Sequence, residues 1–101
     1  MFGLFGNKEV VDFKELVKDG AVIIDVRGKG EYESGHVKGA VNIPLDVLDQ
    51  KIDSIGSKDT HIITCCLSGG RSTMAKNILH AHGFNNVHNG GGWQSLQNKL
   101  A

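Results

Sequence analysis

Within seven residues, Cys66-Leu67-Ser68-Gly69-Gly70-Arg71-Ser72 brings together a thiol, a pair of glycines and an arginine. An apolar β-type run, Ile62-Ile63-Thr64-Cys65, leads into it, and a helical pattern beginning Ser72-Thr73-Met74-Ala75 leads out. The cysteine therefore stands where a strand stops and a helix has not yet begun. A glycine-containing turn at such a place aims several backbone N–H groups into one concavity, and the helix N-terminus adds its positive dipole end. Those N–H groups and the charge of Arg71 favour the thiolate over the thiol. The chemistry this supports is nucleophilic attack by sulfur, with an anion held beside it. Ser68, Gly69 and Gly70 are short, which leaves the cradle open and lets its backbone approach a ligand. Arg71 is one of two arginines in a chain with nine lysines. Its planar fork suits an oxyanion or a structural carboxylate.

Other residues read as support. Cys65 lies inside the apolar run and reads as a small buried hydrophobe. It cannot pair with Cys66 in ordinary disulfide geometry, because adjacent Cα atoms are only ~3.8 Å apart. Asp25-Val26-Arg27 follows a second buried run, Ala21-Val22-Ile23-Ile24. Asp25 is expected to accept backbone N–H groups, and Arg27 to pair with Glu33 at the rim of the site. His36, in a turn, is expected to be a hydrogen-bonding spacer, with general-base duty as the alternative. Cys66 thus has no evident histidine or carboxylate partner, which suits attack on sulfur better than acyl chemistry, where a proton relay is needed. There is no CxxC or HExxH spacing, and His80 and His82 point to different sides of a helix, so no metal site and no cofactor are expected.

The elements that must position these residues alternate between short strands and helices. Asp12 caps a helix whose apolar side is Phe13, Leu16 and Val17 and which Gly20 ends. Strands are expected at 21–24, 40–43 (stopped by Pro44), 61–65 and 86–88, the first and third of them of the buried type. A short helix is expected near Glu31, and another from Leu45 through Val47, Leu48 and Ile52 to Gly56. The best helix runs from Ser72 to His82, with Met74, Ile78 and His82 as its stripe and Gly83 beyond its end. Gly90-Gly91-Gly92 reads as a loop, and 93–100 as a closing helix. This order implies an α/β domain with a largely parallel sheet. In such sheets sites form at the C-terminal strand ends, so the segments at Asp25 and Cys66 should share one sheet edge.

Bulk properties exclude several classes. The 101 residues carry no net charge, which gives no general attraction to nucleic acid or acidic membrane. No basic run with interleaved aromatics occurs, and no stretch reaches transmembrane length. The apolar start, Met1-Phe2-Gly3-Leu4-Phe5-Gly6, lacks the basic start and long apolar core of a signal peptide. Two adjacent cysteines form no secreted disulfide framework, so a reducing, cytoplasmic setting is expected. One domain is expected over 1–101, with residues 1–8 as an N-terminal extension.

Taken together, these residues resemble the rhodanese family. The likeness runs through Val22-Ile23-Ile24-Asp25-Val26-Arg27, Glu33, Gly35-His36-Val37-Lys38-Gly39-Ala40-Val41-Asn42-Ile43-Pro44 and Cys66-Leu67-Ser68-Gly69-Gly70-Arg71-Ser72. It ends with Gly83-Phe84, Gly90-Gly91-Gly92 and Trp93. The order and spacing of these pieces make the resemblance specific, and the size is similar to the single-domain members. It implies a five-stranded parallel sheet flanked by helices on both faces. It also implies a sulfurtransferase in which Cys66 takes a sulfane sulfur from thiosulfate or a persulfide and passes it to cyanide, a thiol or a protein cysteine. The amides from Leu67 to Arg71 would stabilise the Cys66 persulfide, and Asp25, Arg27, Glu33, His36 and Ser72 would be supporting residues. Phosphatase and arsenate-reductase relatives of this fold carry one more residue between cysteine and arginine, so this loop is sized for sulfur. It lacks the extra positive charge common in members that favour thiosulfate, so weak thiosulfate turnover is expected. A dedicated persulfide or selenium carrier and a non-catalytic interaction module are the alternatives.

Overall fold

The β-branched runs of the chain pair side by side as parallel strands. These are β1 (Val22–Asp25), β2 (Val41–Asn42), β3 (Ile62–Cys66) and β4 (Val87–Gly92), in the spatial order β2-β1-β3-β4. The structure, a computed structural model, describes residues 11–101, and the extension expected over residues 1–8 lies outside the described residues. Between the strands run α1 (Phe13–Lys18), α2 (Lys29–Glu33), a 3₁₀ helix (Leu45–Ser54), α3 (Gly70–Ala81) and α4 (Trp93–Leu100).

Four strands, not five, are present among the described residues. The four apolar runs visible in the sequence account for all of them, and the fifth rested on family resemblance alone. The sheet's two faces follow from the two-residue period of a strand. Even-numbered residues of β1 and β3, with Val26 and Cys66, face a core completed by Leu48 and Ile52 of the 3₁₀ helix and by Ala75 and Leu79 of α3. Odd-numbered ones, Ile23, Ile63 and Cys65, face Phe13 of α1 and Leu96 of α4. Helices thus cover both faces, as expected.

Local detail departs from expectation in α3 and in the glycine run. The helix expected after Pro44 is present and is wound as a 3₁₀ helix. Its i→i+3 bonds include Val47 N–H to Pro44 O at 3.0 Å and Ile55 N–H to Ile52 O at 3.2 Å. Asp46, Asp49, Asp53 and Ser54 are weak helix formers, and the pairs Leu45/Leu48 and Ile52/Ile55 sit at three-residue steps that suit the tighter winding. α3 starts two residues early, at Gly70, and buries Ser72, Ala75 and Leu79. The expected stripe gives way because Met74 is 56% exposed and His82 faces solvent.

The glycine run, expected as a loop, completes β4. A Cβ on Gly90 would stand 2.9 Å from both Ile63 Cγ2 and Thr64 O, and one on Gly92 2.7 Å from Leu67 O. Glycine disfavours strands for want of packing, yet it is required where two backbones approach this closely. Gly92 lies opposite Cys66 across an irregularity in the β3–β4 register.

Candidate active site

The register pairs Asp25 with Cys65, and Val26 N–H donates to Cys65 O at 3.0 Å. The chain leaving β1 and the loop leaving β3 therefore emerge together, as the sequence implied. Cys66 is the last residue of β3, is 1% exposed, and points to the α3 face.

The helix that follows has an unusual cap. Its N-cap residue is Gly69, with φ +104° and no side chain to offer. The first turn of any helix leaves N–H groups without intrahelical partners. Here the sulfur of Cys66 takes that role. Gly69 N–H reaches Sγ at 3.0 Å, and Ser72 N–H reaches it at 3.4 Å. The Ser72 hydroxyl lies 3.6 Å from Sγ. Burial alone would push the Cys66 thiol up. The Ser72 side chain and the N–H groups of Ser72, Gly69 and Ser68 outweigh it and hold the thiol below its ordinary value. That direction favours the thiolate, the nucleophilic form of the side chain.

The single proton of Ser72 has further acceptors in reach, Gly69 O at 2.9 Å and Asn89 Oδ1 at 2.7 Å. Asn89 also accepts from Gly91 N–H at 2.9 Å and donates to Thr73 Oγ1 at 2.8 Å, while Thr73 donates to Gly69 O at 2.8 Å. Asn89 therefore ties β4 to the first turn of α3 beside the cradle. Sequence reasoning missed it, having ended the last strand at His88. Its position at the C-terminal side of a parallel strand, just before a glycine run, was the available signal.

Arg71 stands in the first turn of α3, but its fork is engaged. Nη1 donates to Glu31 Oε1 at 2.7 Å and Nη2 to Glu31 Oε2 at 3.0 Å. The support expected from Arg71 for the thiolate is thus absorbed by a carboxylate, the structural alternative that its geometry allowed. Glu31 was also missed. It sits three residues after Gly28, whose N–H donates to Oε1 at 3.1 Å. The Arg71 guanidinium, then that N–H, hold the Glu31 carboxyl at about 2, well below the usual range.

The expected Arg27–Glu33 pair does not form. Arg27 pairs with its near neighbour Asp25, Nη2 to Oδ2 at 2.6 Å, with side chains 4% and 0% exposed. Asp25 also accepts Arg27 N–H at 3.0 Å, in keeping with its expected role. Arg27 Nη2 donates to Gly35 O at 2.7 Å, and its guanidinium lies 4.9 Å from the Trp93 ring centre. Glu33 is exposed on α2. It points outward because the short helix turns Tyr32 to the core and Glu31 to Arg71. His36 Nδ1 lies 2.8 Å from Tyr32 O, and its ring is stacked on Tyr32. Leu67 and Ser68 are exposed at the tip of the loop, and Gly70 opens α3 beside them. Cys65 points to the opposite face from Cys66, and burial, then the charge of Asp25, push its thiol up to about 12. Strand alternation thus separates the two sulfurs and leaves Cys65 as core.

Among the described residues no group of three or more His, Cys, Asp and Glu side chains is placed to hold a metal. No helix among them is long and apolar enough to cross a membrane. An apolar groove of about 400 Å³ lies at the β2 edge between Val22, Ile24, Val41 and Ile43. It has no ionisable group and lies apart from Cys66.

Comparison with known proteins agrees with this geometry. A family model for the rhodanese-like domain matches residues 9–99. Thiosulfate sulfurtransferase PspE of Escherichia coli is 36% identical over 74 residues, covering 72% of this chain and 71% of PspE. The putative sulfur carrier protein YrkF of Bacillus subtilis is 37% identical over 82 residues, covering 81% of this chain. The chain spans only 42% of YrkF's length. The solved structure of a rhodanese with anions from E. coli superposes with a TM-score of 0.71 at 35% identity, over 75% of this chain and 91% of that one. With its parallel sheet, its cysteine at the end of β3 and the loop that cradles the sulfur, this chain belongs to the rhodanese-like domain family.

Proposed function

We propose that the protein is a sulfurtransferase that carries sulfane sulfur as a persulfide on Cys66. The observation that carries this reading is the buried Sγ, held by Gly69 N–H at 3.0 Å and Ser72 N–H at 3.4 Å at the start of α3. In the first half-reaction the thiolate attacks the outer sulfur of the donor. With thiosulfate, the donor's S–S bond breaks, sulfite leaves with the bonding pair, and Cys66 becomes a persulfide anion. The N–H groups that now meet Sγ would share the negative charge of that anion. In the second half-reaction an acceptor such as cyanide, a thiol or a protein cysteine attacks the terminal sulfur, and the Cys66 thiolate departs. Neither half needs a general base on the nucleophile, and among the described residues no His, Asp or Glu side chain is bonded to Cys66.

The amides from Leu67 to Arg71 form the persulfide cradle, and Asp25, Arg27 and Ser72 hold it in place. The neutral loop supports weak turnover of thiosulfate and a persulfide as the better donor. Likeness to a putative sulfur carrier favours a second reading of the same cysteine, in which the persulfide is delivered to one protein partner. A thiol that must return to its reduced state in each cycle suits the cytoplasm.

The test is the intact mass of the reduced protein after incubation with thiosulfate or a small organic persulfide, beside Cys66→Ser. The expected result is the gain of one sulfur atom, reversed by cyanide and absent in the variant. Failure of both donors to load Cys66 would overturn the proposal in favour of an interaction module. Faster discharge to one protein thiol than to any small acceptor would favour the carrier.

A further inference from the structure

Glu31 closes the fork of the loop's one guanidinium. Both of its oxygens are bonded to Arg71, at 2.7 and 3.0 Å, and Oε1 is anchored as well by Gly28 N–H. The two side chains are 37% and 39% exposed, so the pair stands at the rim of the site and not beneath it. An incoming oxyanion finds the end-on bidentate face of Arg71, formed by its two Nη groups, already occupied by a carboxylate. A groove of about 390 Å³ opens beside the loop, with Val26, Pro44 and Leu45 as apolar lining and Glu31, Asp46 and Arg71 as its charged residues. Two carboxylates there face one guanidinium.

We propose that Glu31 is a specificity-determining residue, which engages Arg71 and keeps the rim net negative so that doubly anionic sulfur donors are selected against. The inference rests on the sulfur-transfer reading and concerns the same site. A thiosulfate dianion approaching the Cys66 thiolate gathers three negative charges within a few bond lengths. A thiosulfonate monoanion undergoes the same displacement. Its S–S bond breaks, a sulfinate leaves with the bonding pair, and Cys66 keeps the outer sulfur, with one charge fewer on the approach. The ratio of loading rates from the two donors therefore reads the charge of the rim. The folded fraction and the acidity of Cys66 affect both rates equally and cancel from the ratio.

The experiment measures second-order loading of Cys66 from thiosulfate and from benzenethiosulfonate by quenched intact-mass analysis, at low and high ionic strength. It compares the unaltered chain with Glu31→Gln and Glu31→Ala. The thiosulfate-to-thiosulfonate ratio is expected to rise about tenfold in both variants at low salt, and by less at high salt. An unchanged ratio in both variants would overturn the inference, even if both rates fell, since Glu31 would then serve only to hold Arg71 in place. Loading of the unaltered chain by either donor, or by an organic persulfide, upholds sulfur transfer whatever the ratio does. No loading from all three overturns both readings.

Discussion

Cys66 serves two purposes with one atom. Its sulfur satisfies N–H groups that a capping side chain would ordinarily satisfy, and the same bonds lower its pKa. Ser72 is the adjustable member of this set. When Cys66 carries its proton, the S–H can donate to Ser72 Oγ, and on ionisation the hydroxyl can turn its own proton towards sulfur and away from Asn89 or Gly69. Ser72→Ala removes that donor. The midpoint of Cys66 alkylation by iodoacetamide should move to higher pH, because the lost bond favoured the thiolate. The rate at neutral pH should fall about three- to tenfold, in line with a hydrogen bond to a charged group. Cys65, buried and pushed up to about 12, does not compete in the measurement. An unchanged midpoint would mean that the hydroxyl proton stays with its oxygen acceptors throughout. At this scale the nucleophile was legible in the sequence, because a cysteine between an apolar run and Gly69-Gly70 has few other uses. Its partners were less so. Glu31 and Glu33 lie two residues apart on a five-residue helix, and nothing in so short a segment sets which of them turns to Arg71.

Elements decide whether the cradle keeps its shape. The strands and helices were legible from apolar periodicity and from caps such as Asp12, whose Oδ1 accepts Glu15 N–H at 3.1 Å. The glycine run was not, since its reason is a contact with Leu67 and Thr64, which are distant in sequence. That contact joins β4 directly to the nucleophile loop. In Gly92→Ala, the new methyl would stand 2.7 Å from the Leu67 carbonyl oxygen, a backbone atom that cannot rotate away. The loop after Cys66 must then shift. The expected cost is about 1–3 kcal/mol in urea-induced unfolding, as for other overpacked sites. Sulfur loading should fall more than stability alone explains, because the displaced residue directly follows the nucleophile. A variant with unchanged loading per folded molecule would show that the cradle tolerates movement of Leu67.

For the molecule as a whole, the parallel sheet sets which chain segments meet. Pairing Asp25 with Cys65 brings the exit of β1 beside the exit of β3. Two ion pairs then brace this edge of the sheet at different depths. At the surface Glu31 meets Arg71 across forty positions of sequence. Beneath it the buried Asp25–Arg27 pair connects the end of β1 to Gly35 O and to Trp93 at the start of α4. The two ion pairs differ in what they contribute. The outer pair is largely solvated, and such pairs add little to stability, which leaves Glu31 free to act on donor charge. The inner pair is almost fully enclosed, so loss of one partner strands a charge in a medium that solvates it poorly. Asp25→Asn keeps the shape of the side chain and removes only its charge. The guanidinium of Arg27 would remain buried, facing a neutral amide. Unfolding stability should therefore fall by about 3–5 kcal/mol, measured by urea denaturation. The pH midpoint of Cys66 alkylation in the folded variant should not move, since no atom of Asp25 or Arg27 is bonded to Sγ. A shifted midpoint with unchanged stability would assign Asp25 to the chemistry of the site and not to its foundation.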